Sequence, residues 1–259
     1  MYKEFRSTGF LETISNTSPE AWGEHFKQSK GLSRYQKMAF TLDERWKWIR
    51  SYLPKKSRIL DAGCGAGEWV DFLNINGYQA EGLDYSKDLI NKLKEHKPQY
   101  HWYNGNILDI PIENNEFDGI ISWGVIEHDE KGPLEAIKEF HRILKNGGMA
   151  IVTVPHDCKA TRKASEMMFP QKKVKDSGGH FFQYYIEVGE LKKLFEDCGF
   201  KVHLSKSIGG PSLALVSPGI YKKVLNWGPI FRMMNLLVKL IGPRSKEYDH
   251  NILCVAEKI

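Results

Sequence analysis

The sequence predicts an α/β fold: a doubly wound, mostly parallel, seven-stranded sheet. Three observations carry this expectation. From Arg58 onward, strand-length apolar runs alternate with stretches whose apolar residues recur at helical spacing. A glycine triplet, Gly63-x-Gly65-x-Gly67, directly follows the first apolar run and precedes a helix. The chain has 259 residues, 41% hydrophobic and 12% aromatic, enough for one large domain with a substantial core.

The elements follow in order. Residues 1–34 are polar, without a sustained period, and read as an N-terminal cap segment, with Trp22 and Phe26 at i, i+4 on a short helix. One helix is expected from Tyr35 to Leu53, stopped by Pro54. Arg58–Ala62 is the first strand, and a helix opens at Glu68. Gln79–Leu83 is the second strand, ending at Asp84. Ser86 caps the next helix, whose Leu89, Ile90 and Leu93 share a face. Tyr100–Tyr103 and Phe117–Trp123 are the third and fourth strands. Pro133 suits the first turn of a helix bearing Leu134, Ile137, Phe140, Ile143 and Leu144. Asn146-Gly147-Gly148 is expected to stop that helix before a fifth strand, Met149–Val154. Val188, Leu191, Leu194, Phe195 and Cys198 mark a helix closed by Gly199. Phe200–Leu204 and Ile252–Ala256 complete the sheet.

Residues 35–259 thus form one domain. Two stretches, about 155–185 and 208–248, are too long for ordinary connections. Following strands five and six, they are placed to roof the carboxyl ends of the strands, where ligands of such sheets bind.

Charge and cysteines narrow the function. The net charge is +5, yet residues 155–246 hold 16 Lys/Arg against 7 Asp/Glu, so the excess is local. A basic segment on a mildly acidic body suits an anionic partner, or is a solvated face. Cys64, Cys158, Cys198 and Cys254 form no C-x-x-C pair, which favours free thiols and a cytoplasmic protein over a disulfide framework or zinc ribbon. No apolar run approaches the roughly 18 residues that span a bilayer, and Met1–Phe5 opens no secretory signal. No RNA-binding module is recognisable, so nucleic acid is not an expected partner.

The glycine loop lets a ligand approach the backbone without Cβ interference. Asp84, 21 residues after Gly63, suits a carboxylate that accepts hydrogen bonds from ribose hydroxyls. The G-x-G-x-G spacing and Asp61 two residues before it point away from a pyrophosphate, which a carboxylate repels, and towards a cationic nucleoside. Asp61 has a second reading, as a cap on the loop amides.

Ile59-Leu60-Asp61-Ala62-Gly63-Cys64-Gly65-Ala66-Gly67 resembles the first motif of class I S-adenosylmethionine-dependent methyltransferases, and Asp84 matches the acid of their second. Gly105–Pro111, Phe117-Asp118, Val125-Ile126-Glu127-His128 and Leu144–Gly148 resemble the type 11 branch, which includes ubiquinone-biosynthesis O-methyltransferases. The resemblance implies a Rossmann-like methyltransferase fold, S-adenosylmethionine as cofactor and S-adenosylhomocysteine as product. It also implies that Asp61, Gly63, Cys64 and Gly65 line the methionine part, Asp84 the ribose, and Tyr85, Asn106 and Ile107 the adenine. Asn106 stands where the family usually has aspartate; its carbonyl oxygen still accepts a bond. Trp123 and Gly124 would flank the sulfonium, although core packing is an equal reading of Trp123.

Methyl transfer needs a base only if the acceptor must lose a proton. His128, after strand four, is the candidate for a hydroxyl acceptor; His156, His180 and Tyr184 are weaker ones. Asp129, His156 and Asp157 lack metal-site spacing, so no metal is expected. The acceptor is expected to be a small molecule, anionic or partly apolar, methylated on oxygen. Nitrogen or carbon methylation, a lipid-linked or glycan acceptor, and a non-catalytic cofactor-binding protein remain alternatives. Lys159, Arg162, Lys163, Lys172, Lys173 and Lys175 would serve an anionic acceptor. Residues 229–241, apolar except for Arg232, Asn235 and Lys239, would pack on the core, line a greasy pocket, join a dimer or touch a membrane surface.

Overall fold

The computed structural model describes residues 31–168, 183–210 and 248–259, together with Leu11–Glu12, His180–Phe181 and Val238. Trp22, Phe26, Lys172, Lys173, Lys175, most of 229–241 and the side chain of His180 lie outside the described residues.

Among the described residues the helices are α1 (Arg34–Leu42), α2 (Glu44–Tyr52), α3 (Glu68–Ile75), α4 (Lys87–His96), α5 (Leu134–Ile143), α6 (Lys159–Met168) and α7 (Val188–Asp197). The strands are β1 (Arg58–Ala62), β2 (Gln79–Asp84), β3 (Trp102–Asn104), β4 (Phe117–Trp123), β5 (Leu144–Pro155), β6 (Phe200–Ile208) and β7 (Asn251–Lys258). They form one sheet in the order β3-β2-β1-β4-β5-β7-β6. The first five are parallel, and β7 runs antiparallel between β5 and β6. Leu11–Glu12 separately pairs antiparallel with His180–Phe181.

Burial explains the layers. Strands β1, β2, β4, β5 and β7 are buried along most of their length because helices cover both faces. On one face Ile137, Phe140, Leu191 and Phe195 of α5 and α7 pack on the sheet. On the other, Trp46, Ile49, Trp69, Phe72 and Ile90 of α2, α3 and α4 do so. Strand order reverses at β1/β4, so the ends of these two strands border the crevice where such sheets bind ligands.

Three expectations are corrected. The helix expected over 35–53 is two helices, because Asp43 is extended (ψ 133°) and its side chain caps α2 by accepting from Arg45 N at 2.8 Å. The Asn146-Gly147-Gly148 turn does not end α5. The helix stops at Ile143, Leu144 already pairs with Phe117, and the glycines form an irregularity inside a twelve-residue strand. The third strand is Trp102–Asn104, shifted by up to two residues. No described helix is long and apolar enough to cross a membrane.

Candidate functional site

The crevice is built from the ends of β1, β2 and β4. Gly63, Gly65 and Gly67 all have positive φ (88°, 50° and 69°), which L side chains avoid. The loop is pulled onto β2 by Gly63 N and Cys64 N, both donating to Leu83 O at 2.8 and 2.9 Å. A Cβ at Gly63 would lie 2.4 Å from Val125 Cγ2, and one at Gly67 2.4 Å from the Trp102 ring. The first glycine therefore lets the loop meet the β4 end, and the third lets it rest on an indole.

Asp84 ends β2 with its carboxylate committed to the loop. It accepts from Gly65 N at 3.1 Å and Ser86 N at 3.0 Å. Burial raises its pKa, and the surrounding backbone amides oppose the rise. Asp61 has no such relief. It is 2% exposed and its Oδ1 has no hydrogen-bond partner. Burial first, then the nearby Asp84 charge, push its pKa up to about 8, and the Arg45 charge draws it down. An acid left wanting a donor in this place suits a cationic ligand. The capping role for Asp61 is not seen; Asp84 performs it.

The other expected residues divide. Tyr85 is 43% exposed at the mouth, and Gly124 is exposed with φ 68°. Trp123 is half-buried, with its Nε1 buried and unpartnered and its ring 5.4 Å from Trp69. Ile107 is partly buried and packs on the core edge. Asn106 is exposed, and its Oδ1 accepts from Leu108 N at 3.0 Å. That bond occupies one of the two lone pairs, so acceptor capacity remains. Cys64 turns inward, its Sγ against the Gly82 position, so it contributes backbone only.

Two residues were missed. Arg45 is fixed by Asp43 (Nε–Oδ1 3.0 Å, Nη2–Oδ2 2.7 Å), with its guanidinium 5.0 and 5.1 Å from the Trp69 and Trp123 rings. It precedes the glycine loop by 18 residues, with no motif around it. Glu127 lies in a 3₁₀ turn (Ile126–His128) after β4. It is 1% exposed, its Oε2 has no hydrogen-bond partner, and burial pushes its pKa up to about 8. The Val125-Ile126-Glu127-His128 motif marks its position but not its enclosure. His128 is partly exposed, with Nε2 4.0 Å from Glu127 Oε1. Of the weaker bases, Tyr184 donates its hydroxyl to Glu130 O at 2.6 Å, and His156 bonds Asp249 O.

Beside Arg45 opens a cavity of about 880 Å³, bounded by the α1–α2 junction and the adjoining ends of β5, β6 and β7. Its lining is mixed: Asp43, Glu44, Lys206, Ser207, Asp249 and His250 are polar, and Leu42, Val188 and Ile208 are apolar.

A methyltransferase-domain family matches residues 34–205. An uncharacterised protein of Methanocaldococcus jannaschii is 30% identical over 189 residues, 71% of this chain and 74% of that one. A demethylmenaquinone methyltransferase of Staphylococcus haemolyticus is 29% identical, covering 60% and 73%. Solved structures of SAM-dependent methyltransferases from Methanosarcina mazei and Archaeoglobus fulgidus superpose with TM-scores of 0.59 and 0.58. Their identities are 17% and 15%; they cover 82% and 92% of this chain, and it covers 97% and 99% of theirs. The orphaned Asp61 oxygen, the Cβ-free loop and the Asp84 carboxylate fit a sulfonium nucleoside. The chain belongs to the methyltransferase-domain family and is an S-adenosylmethionine-dependent methyltransferase of Rossmann-like fold.

Proposed function

We propose that the enzyme methylates a hydroxyl oxygen of a small polar molecule seated in the cavity beside Arg45. The observation that carries this reading is the Glu127–His128 pair: two ionisable side chains after β4, one buried with an unpartnered oxygen, which together suit an acceptor that loses a proton. The bound cofactor supplies an electrophilic methyl group on a good neutral leaving group. Asp61 receives the cofactor ammonium and Arg45 its carboxylate, while Asp84 holds the ribose. Tyr85, Asn106 and Ile107 flank the adenine. Trp123 and Gly124 border the sulfur, where an indole face favours positive charge. His128 takes the hydroxyl proton, and Glu127 holds the local charge balance. Four cysteines outside any disulfide, two of them buried, support placing the enzyme in the cytoplasm. Residues 1–34 and the insertions would cap the site.

A second reading comes from the relatives. Several are named demethylmenaquinone methyltransferases, and one is named a ubiquinone/menaquinone C-methyltransferase. That favours carbon methylation of an apolar ring within the same branch. The carboxylates, lysine and serine in the cavity wall support a polar acceptor instead. Incubation of the enzyme with methyl-labelled cofactor and fractionated small metabolites, followed by mass spectrometry, separates the two. An O-methyl product whose formation falls at least tenfold in His128→Asn supports the proposal. Label on ring carbon, or a His128→Asn enzyme of full rate, contradicts it.

A further inference from the structure

Away from the carboxyls, the segment after β5 joins three groups that the methyl-transfer chemistry does not use. Cys158 precedes the first turn of the ten-residue helix α6: its carbonyl accepts from Arg162 N at 3.0 Å, and its N–H donates to Thr161 Oγ at 3.0 Å. The thiol thus sits at the positive end of a helix. Thr161 Oγ lies 3.4 Å from Cys158 Sγ. His156 Nδ1 donates to Asp249 O at 2.8 Å, and Cys158 Sγ lies 3.9 Å from the same carbonyl. Imidazole and thiol therefore share one small site with a helix terminus, the three features that together favour a thiolate.

The other cysteines lack this setting. Cys64 and Cys254 are buried, and burial raises both thiols. Burial raises the half-buried Cys198 as well. At Cys158 burial acts in the same direction but is outweighed by His156 and Thr161, and the thiol falls below its ordinary value.

The carbonyl under Cys158 belongs to the cavity wall. Asp249 accepts from Ser207 Oγ at 2.8 Å and from Gly210 N at 2.9 Å, and His156 N donates to His250 O at 2.9 Å. Ser207, Gly210, Asp249 and His250 all line the cavity.

We propose that Cys158 and His156 form a reactive thiol site for small disulfides, and that its modification loosens the cavity wall through Asp249. The thiolate attacks one sulfur of the disulfide. A new S–S bond forms at Sγ, the old one breaks, and the departing sulfur leaves as a thiolate with the electron pair, to be protonated by water. His156 and the helix terminus stabilise the attacking anion. Loss of acceptor binding on modification rests on the cavity being the acceptor site; the reactivity itself does not.

The test treats the native full chain with dithiobis-nitrobenzoate at pH 7 and maps the adduct by peptide mass spectrometry. Cys158 reacts first, at least tenfold faster than Cys198, and His156→Gln slows it about tenfold. Hydrogen exchange then quickens at residues 207–210 and 249–251 in the modified protein, while affinity for S-adenosylhomocysteine stays within about twofold. Equal labelling of Cys198, or an unchanged rate in a folded His156→Gln, overturns the thiol site. Unaltered exchange overturns its link to the cavity. Neither readout involves an acceptor, so failure of the hydroxyl reading leaves them separately decided.

Discussion

Replacing Asp61 by Asn is expected to weaken S-adenosylhomocysteine binding by about 10- to 100-fold, with the fold intact. The side chain keeps its shape and loses its charge. A hydrogen bond to a charged partner is worth about 1.5–3 kcal/mol, against about 1 for a neutral pair. Under the proposed assignment the partner is the cofactor ammonium, which would bind only the ionised acid. Titration calorimetry of the two proteins measures the ratio. The same substitution alters the pH dependence of the ligand-free protein. The folded-state pKa of Asp61 is raised from 3.8 to about 8, so the folded chain holds a proton that the unfolded chain has lost between those values. Stability then falls as pH rises across that window, with a ceiling of about 1.4 kcal/mol per pH unit for one group. Asp61→Asn flattens this slope in urea unfolding between pH 5 and 8; an unaltered slope would assign it to Glu127 and other groups.

Removing the charge of Lys97 is expected to have the largest effect on stability. Its ammonium is buried, 2.7 Å from Asp71 Oδ2 and 3.0 Å from Ala66 O. The Lys97 carbonyl accepts from Trp102 Nε1 at 2.9 Å. One residue at the end of α4 thus secures α3, the glycine loop and the indole on which Gly67 rests. Lys97→Met leaves Asp71 charged and alone in the interior, costing about 3–5 kcal/mol, or roughly 10 °C in Tm for a chain of this size. Adding Asp71→Leu removes the orphaned charge and is expected to recover most of the loss. A double variant no more stable than Lys97→Met would mean that the bond to Ala66, rather than the ion pair, secures the loop.

What was legible in the sequence was local. Arg58–Ala62, the glycine loop, Asp84 and the Ser86 cap depend on neighbours within a few residues, and the backbone conformations they demand exclude most alternatives. The break at Asp43 was hidden because an aspartate inside a long amphipathic pattern reads as surface charge. Leu144 belongs equally to a helical and a strand pattern, and pairing with Phe117 decides between them. Arg45 and Glu127 escaped for a different reason. One acquires its meaning from two indoles, the other from being enclosed, and neither condition is written in its flanking residues. Asp71 and Lys97, 26 positions apart, look like solvated helix charges until the fold buries them together. Asp249 lies 93 positions from His156 and 91 from Cys158, and the pairing of β7 with β5 brings it to them.

Binding of S-adenosylhomocysteine followed by calorimetry from pH 6 to 7.5 examines the carboxyl-lined site most directly. With Asp61 protonated below about 8 in the free enzyme, the association constant is expected to rise about twentyfold over that interval, and proton release to show as a dependence of the heat on buffer. An affinity flat with pH in the wild-type enzyme, and identical in Asp61→Asn, would contradict the assignment of Asp61 as the receptor for the cofactor's positive charge.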